Sequence, residues 1–326
     1  MASSTPPADL TTDVLGDPYT RETLVLGDDA EGPVEATLVR RCTDRPTSLG
    51  AVLHVHGFCD YFFQVATAEY FTAAGYDFYA LDLRKYGRSL RPHQTPNFCL
   101  DLAEYYPELD ESLRRITARD GHERVIISGH STGGLIAALW AADRLAQGQR
   151  VADALVLNSP WLDLQGSYFL RTAGTEAINR LGQRRPYAVV PRNVTGVYVE
   201  TLHRSLRGEW DFDLAWKPRE SFPVRAGWLR AVRMGHRRVH RGIDVGAPVL
   251  SLCSTASLVP QAWTEQATRT DTVLDVKQIA KWSHQLGPQV TVVRIENAMH
   301  DVLCSRKDVR DTAFGEISRW LDYSLE

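Results

Sequence analysis

No stretch of this 326-residue chain reaches the roughly 18 uncharged apolar residues that a membrane span requires, so no transmembrane helix is expected. Cysteine is sparse. Cys42, Cys59, Cys99, Cys253 and Cys304 are odd in number, widely spaced and without a CxxC pair, which argues against a disulfide framework or a zinc site. Residues 1–17 are rich in Ser, Thr and Pro and lack a basic leader segment. They read as a flexible lead-in rather than a secretion signal, and free thiols in a reducing cytoplasm are the expectation. No P-loop, dinucleotide fingerprint or metal-ligand spacing occurs, so neither a cofactor nor a metal is implied. The net charge of -3 marks no general polyanion binder, and no nucleic-acid-binding motif is present. No internal repeat is evident.

What the chain does have is an alternation. Short apolar runs at Ala51–Val55, Asp77–Leu81, Val125–Ser128, Ala154–Leu157, Pro248–Leu252 and Val290–Ile295 are strand-length and end in turn or polar residues. Their near-continuous apolar character predicts strands covered on both faces, as in a parallel sheet. Helical spacing lies between them, at Asp60–Ala74, Asp101–Arg119, Ser131–Gln147, Val276–Leu286 and Asp308–Leu325. Thr23–Leu26 and Val34–Arg40 read as an antiparallel hairpin on one edge. The pattern is that of an α/β domain.

The alternation stops near Trp161 and resumes near Pro248. The intervening stretch is basic, with 15 Lys/Arg against 6 Asp/Glu between residues 165 and 242, and rich in aromatics. An insertion after a central strand sits over the carboxyl edge of the sheet, where ligands bind. The chain therefore divides into a core of residues 1–163 and 246–326 and an inserted cap of residues 164–245. The cap's basic excess suits contact with an anionic lipid surface or an acidic substrate, but a solvated arginine-rich lid is the preferred reading.

Gly129-His130-Ser131-Thr132-Gly133 fits G-x-S-x-G between an apolar strand and a helix, the setting of a nucleophile elbow. A serine hydroxyl needs a base to take its proton. His300 follows the strand Val290–Ile295 by a short loop, which brings an imidazole to the same sheet edge; a capping or core histidine is the bland alternative. The imidazole in turn needs a carboxylate. The run Leu250–Ser257 has none, so the candidates are Asp271, Asp275 and Asp163. Asp271 is preferred, because Asp275 reads as the N-cap of the helix from Val276. Backbone N–H groups of Thr132 and Phe58 are placed to receive an oxyanion. His56 reads as a loop-fixing histidine. Phe169, Trp210 and Trp228 are the cap aromatics expected to line an acyl pocket.

At these residues the sequence resembles the α/β-hydrolase superfamily, and more narrowly its lysophospholipase and monoacylglycerol-lipase-like (serine aminopeptidase-like) group. The matching pieces are His56-Gly57-Phe58, Asp82 to Ser89, Ser128 to Gly134, Asp271 to Asp275 and Met299-His300-Asp301. The resemblance implies a mostly parallel eight-stranded sheet flanked by helices. It also implies hydrolysis of a small-molecule acyl ester of monoacylglycerol or lysophospholipid type. Two departures stand out: Lys85 occupies a position where relatives usually carry Gly, and the stretch from Cys253 to Asp271 is long. Acyl transfer or amide hydrolysis would use the same residues, and a hydrolase-fold binding protein without turnover is the alternative of another class.

Overall fold

The computed structural model describes residues 10–165, 168–191 and 195–325; the side chains of residues 168–173 lie outside the described set. The chain opens with three strands, β1 (Thr11–Thr12), β2 (Thr20–Asp29) and β3 (Gly32–Arg41). It continues with β4 (Ala51–Val55), α1 (Val65–Ala74), β5 (Asp77–Asp82), α2 (Tyr106–Arg114), β6 (Val125–His130), α3 (Thr132–Ala146) and β7 (Ala154–Asn158). Three helices follow, α4 (Tyr168–Arg184), α5 (Val197–Leu202) and α6 (Ala226–His240). The last elements are β8 (Val249–Ser254), α7 (Val276–Ser283), β9 (Val290–Ile295) and α8 (Lys307–Ser324).

The strands form one sheet in the order β1-β2-β3-β5-β4-β6-β7-β8-β9. β1, β2, β3 and β5 pair antiparallel, and every pair from β5 to β9 is parallel. Nine strands stand where eight were expected, because the two-residue β1 adds to the edge through Thr11–Arg21 and Thr12–Thr20. Successive residues of a strand face opposite sides. Val52, Ile126, Val156 and Leu250 meet Phe71 of α1 and Ile317 of α8 on one face. Leu53, Ile127, Leu155 and Val249 meet Leu109 of α2, Leu135 of α3 and Ile279 of α7 on the other. This double burial explains why β4, β6 and β7 carry no polar alternation.

Two expectations are corrected. Residues 10–17 are not a loose lead-in: Asp13 is buried and takes both Nε and Nη2 of Arg88 at 2.7 Å. Helix α1 begins at Val65 rather than Asp60, because Asp60 is turned inward to an ion pair described below. Lys85 stands at φ 65°, a conformation glycine adopts without strain, and its ammonium joins Asp29 and Glu31 at 2.6 Å each.

The segment between β7 and β8 holds α4, α5 and α6. Helix α6 is amphipathic: Trp228, Val232 and Val239 lie on one face and join the core cluster that contains α3, while Arg237 and Arg238 occupy its last turn. Much of the segment's positive charge is paired, by Arg207 and Arg219 on Glu200, Arg204 on Asp211, Arg233 on Asp163 and Arg238 on Asp143.

Candidate active site

Strand β6 ends, the chain turns sharply, and α3 begins. Ser131 sits on that turn at φ 52° and ψ -118°, a backbone conformation that costs a residue with a β-carbon on the order of 1–3 kcal/mol. Its surroundings hold it there. The Ser131 N–H donates to the Asn158 carbonyl at 3.0 Å, and the Ser131 carbonyl accepts the N–H groups of Gly134 at 3.1 Å and Trp161 at 3.0 Å. A β-carbon at Gly133 would lie 2.2 Å from the His56 carbonyl oxygen, so the turn closes only around glycine.

Ser131, Thr132, Phe58 and His300 line one cavity of about 430 Å3. Its walls are mostly apolar. Trp161 and Leu164 come from the loop after β7, Val197, Val199 and Leu229 from the inserted segment, and Val273 and Leu274 from the loop before α7. The His300 Nδ1–H donates to Asp271 Oδ2 at 2.9 Å, with both side chains buried. The other carboxylate oxygen of Asp271 accepts the N–H groups of Val273 at 2.8 Å and Leu274 at 2.7 Å, which fixes the carboxylate plane. His300 therefore keeps Nε2 as its free basic nitrogen. Tyr198 lies edge-on to the His300 ring with centroids 5.4 Å apart.

The structure thus brings Ser131, His300, Thr132 and Phe58 to one cavity, with Asp271 behind His300. Asp275 caps α7 through the Lys277 N–H at 3.0 Å, and Asp163 meets Arg233 at 2.7 Å. Neither is placed on the imidazole. His56 accepts the Leu83 N–H on Nε2 and donates from Nδ1 to the Gly57 carbonyl, tying two loops together. Thr132 opens α3, where an N–H has no intrahelical acceptor and the helix dipole favours an anion.

The aromatic assignments in the inserted segment need correction. Trp210 is packed against Phe63 and donates from Nε1 to the Cys304 carbonyl at 2.8 Å, away from the cavity. Trp228 is buried one layer back, with its ring 4.1 Å from that of Phe58. Phe169 belongs to α4, and its side chain lies outside the described set. A large aromatic is as readily used to seal an element onto the core as to face a ligand, and its sequence position does not tell which.

Sequence reasoning missed two buried polar groups beside the site. Asp301 holds the His300 loop: its carboxylate accepts from Asn158 Nδ2 at 2.6 Å, Gln64 Nε2 at 3.3 Å and the Leu303 N–H at 3.1 Å. The second group is Lys217, whose Nζ lies 2.8 Å from Asp60 Oδ1. Burial pushes the Asp60 carboxyl up, but Lys217 with His130 and His56 holds it well below the ordinary carboxylate range. One signal for Lys217 was in the sequence: it is the single lysine among the 15 basic residues of positions 165–242. Among the described residues, no group of three or more His, Cys, Asp or Glu is placed to hold a metal ion.

Comparison with known structures gives similar folds at low sequence identity. The monoglyceride lipase of Saccharomyces cerevisiae, solved with a substrate analog, aligns over 92% of this chain and 94% of its own at 16% identity and a TM-score of 0.66. A monoacylglycerol lipase of Paleococcus ferrophilus aligns over 88% and 98% at 18% identity and 0.64. A thermostable carboxyl esterase of Bacillus coagulans, solved with glycerol, aligns over 94% and 99% at 14% identity and 0.65. No curated protein sequence matches significantly. The family described as serine aminopeptidase, S33 matches residues 46–307, a span that runs from before β4 to the start of α8 and includes the serine turn, Asp271 and His300. With that match and the parallel sheet beneath it, this chain belongs to the serine aminopeptidase S33 family and has the α/β-hydrolase fold.

Proposed function

We propose that the protein is a serine hydrolase of carboxylic esters, acting on a lipid-like acyl ester of monoacylglycerol or lysophospholipid type. The observation that supports this reading best is the buried His300–Asp271 pair, whose His300 lines the cavity that contains the strained Ser131. In this reading Ser131 Oγ attacks the ester carbonyl and its proton passes to His300 Nε2. Asp271 holds the Nδ1 tautomer and stabilises the imidazolium as it forms. The N–H groups of Phe58 and Thr132 receive the oxyanion of the tetrahedral intermediate. The imidazolium then protonates the leaving alkoxide, and an acyl-enzyme on Ser131 remains. Water, deprotonated by the same imidazole, then attacks the acyl carbon, and the imidazolium returns the proton to Ser131 Oγ as the acyl–oxygen bond breaks and the acid leaves. Three of the structural neighbours carry names of ester hydrolases, which favours an ester over an amide.

Residues 164–245 serve as the cap in this reading, and their apolar side chains Val197, Val199 and Leu229 select the acyl group. The leading test is a fluorophosphonate probe. Labelling of the wild-type chain at Ser131, absent in Ser131→Ala, is expected, followed by turnover of a series of p-nitrophenyl esters and then of monoacylglycerol and lysophospholipid. A well-folded chain that takes no label at Ser131 would overturn the reading.

A further inference from the structure

The loop after β4 contains a strained residue next to Phe58. Cys59 stands at φ 50°, in the left-handed region, where a residue with a β-carbon persists only if its neighbours over-determine it. Those neighbours come from the cap. The Phe222 N–H lies 3.4 Å from Cys59 Sγ, and Lys217 Nζ approaches the Cys59 carbonyl oxygen at 3.5 Å. Lys217 Nζ is also bonded to Asp60 Oδ1, and Asp60 Oδ2 accepts the Gly57 N–H at 3.3 Å. One cap cation thus grips the chain on both sides of Phe58, at Gly57 through Asp60 and at Cys59 directly.

The environment of this ion pair makes it an expensive device. Lys217 is 3% and Asp60 2% exposed, and the rings of Phe63, Tyr198 and Phe212 surround the ammonium at 5.3 to 6.0 Å. Removing two charges from water commonly cancels the attraction between them, so a buried pair is weak evidence of stabilisation; in some proteins such a pair instead specifies geometry. Here the geometry specified is the backbone from Gly57 to Asp60, which carries the Phe58 N–H that receives the oxyanion in the proposed mechanism; Phe58 lines the same cavity as Ser131.

We propose that Lys217 is a positioning residue for the oxyanion receptor: the docked cap, through Lys217 and Asp60, sets the direction of the Phe58 N–H, and the receptor is complete only with the cap seated. The inference rests on Ser131 acting as the nucleophile of an ester hydrolase. Lys217 lines the same cavity, but its ammonium is taken up by Asp60 and the Cys59 carbonyl, so in this proposal it acts through Asp60 and the backbone, not on the reacting atoms.

The test uses p-nitrophenyl acetate, whose acyl group is too small to need the cap for selection. The double variant K217M/D60N removes both charges and leaves neither buried alone. Displacing a receptor N–H by a fraction of an ångström is expected to lower kcat by about tenfold to a hundredfold. KM is expected to stay within about twofold, as for an interaction made only in the transition state. The affinity of a trifluoromethyl ketone, which forms an oxyanion on the enzyme, is expected to fall in proportion to kcat/KM. Wild-type kcat in the folded double variant, or a loss confined to KM, would overturn the proposal. Should the double variant not fold, K217Q/D60N, which also leaves no charge buried alone and puts a side-chain amide at each position, carries the test by the same criteria. Failure of wild-type Ser131 to react with a fluorophosphonate is a separate result, which strikes the underlying hydrolase reading.

Discussion

Ser131 and Asp271 make the sharpest claims at the scale of single residues. Ser131→Ala deletes one hydroxyl from a turn whose shape is set by the Asn158, Gly134 and Trp161 contacts, all made by the backbone of residue 131. Ester turnover is expected to vanish while the circular dichroism spectrum and melting temperature stay close to wild type. Asp271→Asn keeps the volume but can present an N–H to His300 Nδ1, which favours the wrong tautomer. A loss of turnover on the order of 10⁴-fold is the precedent for that error in another serine hydrolase. Asp275→Asn still caps α7 and is expected to retain most activity. Asp163→Asn weakens a buried contact with Arg233, so its expected effect is a lower melting temperature with little change in kcat on a short ester. Full turnover by purified Asp271→Asn, or its loss in Asp275→Asn, would reassign the acid.

At the scale of elements, the inserted helices divide into side chains that face the cavity and side chains that seal the segment down. Val197 and Leu229 face the cavity from the start of α5 and the first turn of α6. Val197→Ala and Leu229→Ala enlarge it by a few methyl groups and are expected to shift the acyl-length optimum of kcat/KM toward longer chains. The change should be small on p-nitrophenyl acetate, and equal losses on short and long esters would argue against a selecting wall. Trp210 belongs to the second group. Its buried ring and its hydrogen bond to the Cys304 carbonyl fix the segment between β7 and β8 against the loop before α8. Trp210→Ala is expected to cost about 3–5 kcal/mol of stability and to leave acyl preference unchanged, measured by denaturant melts beside the ester series.

For the whole molecule, acid sensitivity follows from histidines buried in the neutral form. His236 on α6 is enclosed, donates from Nε2 to the Trp161 carbonyl and faces Arg233 with Nδ1; burial and then Arg233 push its pKa down to about 3. Burial lowers His54 in the same direction. A histidine whose folded pKa is depressed takes up its proton more readily when unfolded. Its contribution to stability is therefore complete above the ordinary value of about 6.5 and is lost as pH falls from there toward the folded value. Each such histidine contributes a slope of about 1.4 kcal/mol per pH unit within that window. The urea midpoint is expected to fall between pH 6.5 and pH 5, above the ordinary range of carboxylates. His236→Gln, which can keep one donor and one acceptor, is expected to reduce the slope. A midpoint that stays level over this interval would contradict the assignment.

The sequence by itself determined the parallel strands and the serine turn, and it set the chain order of the candidate residues. Buried parallel strands demand runs such as Val52–Leu53 and Ile126–Ile127, and a serine forced onto a tight turn demands Gly129 and Gly133, so both leave marks readable one residue at a time. Asp271 was legible in part, since chain order and reach narrowed three carboxylates to one preference, but only the fold put it 2.9 Å from His300. The roles of Trp210, Trp228, Lys217 and residues 10–17 were decided by tertiary structure alone. Each depends on a partner far away in the chain: Cys304 for Trp210, Phe58 for Trp228, Asp60 for Lys217 and Arg88 for Asp13. Local periodicity encodes which face of an element is buried. It carries no information on which distant group will be waiting there, and for an aromatic ring or a lone lysine that distant group is what separates a ligand contact from a seal.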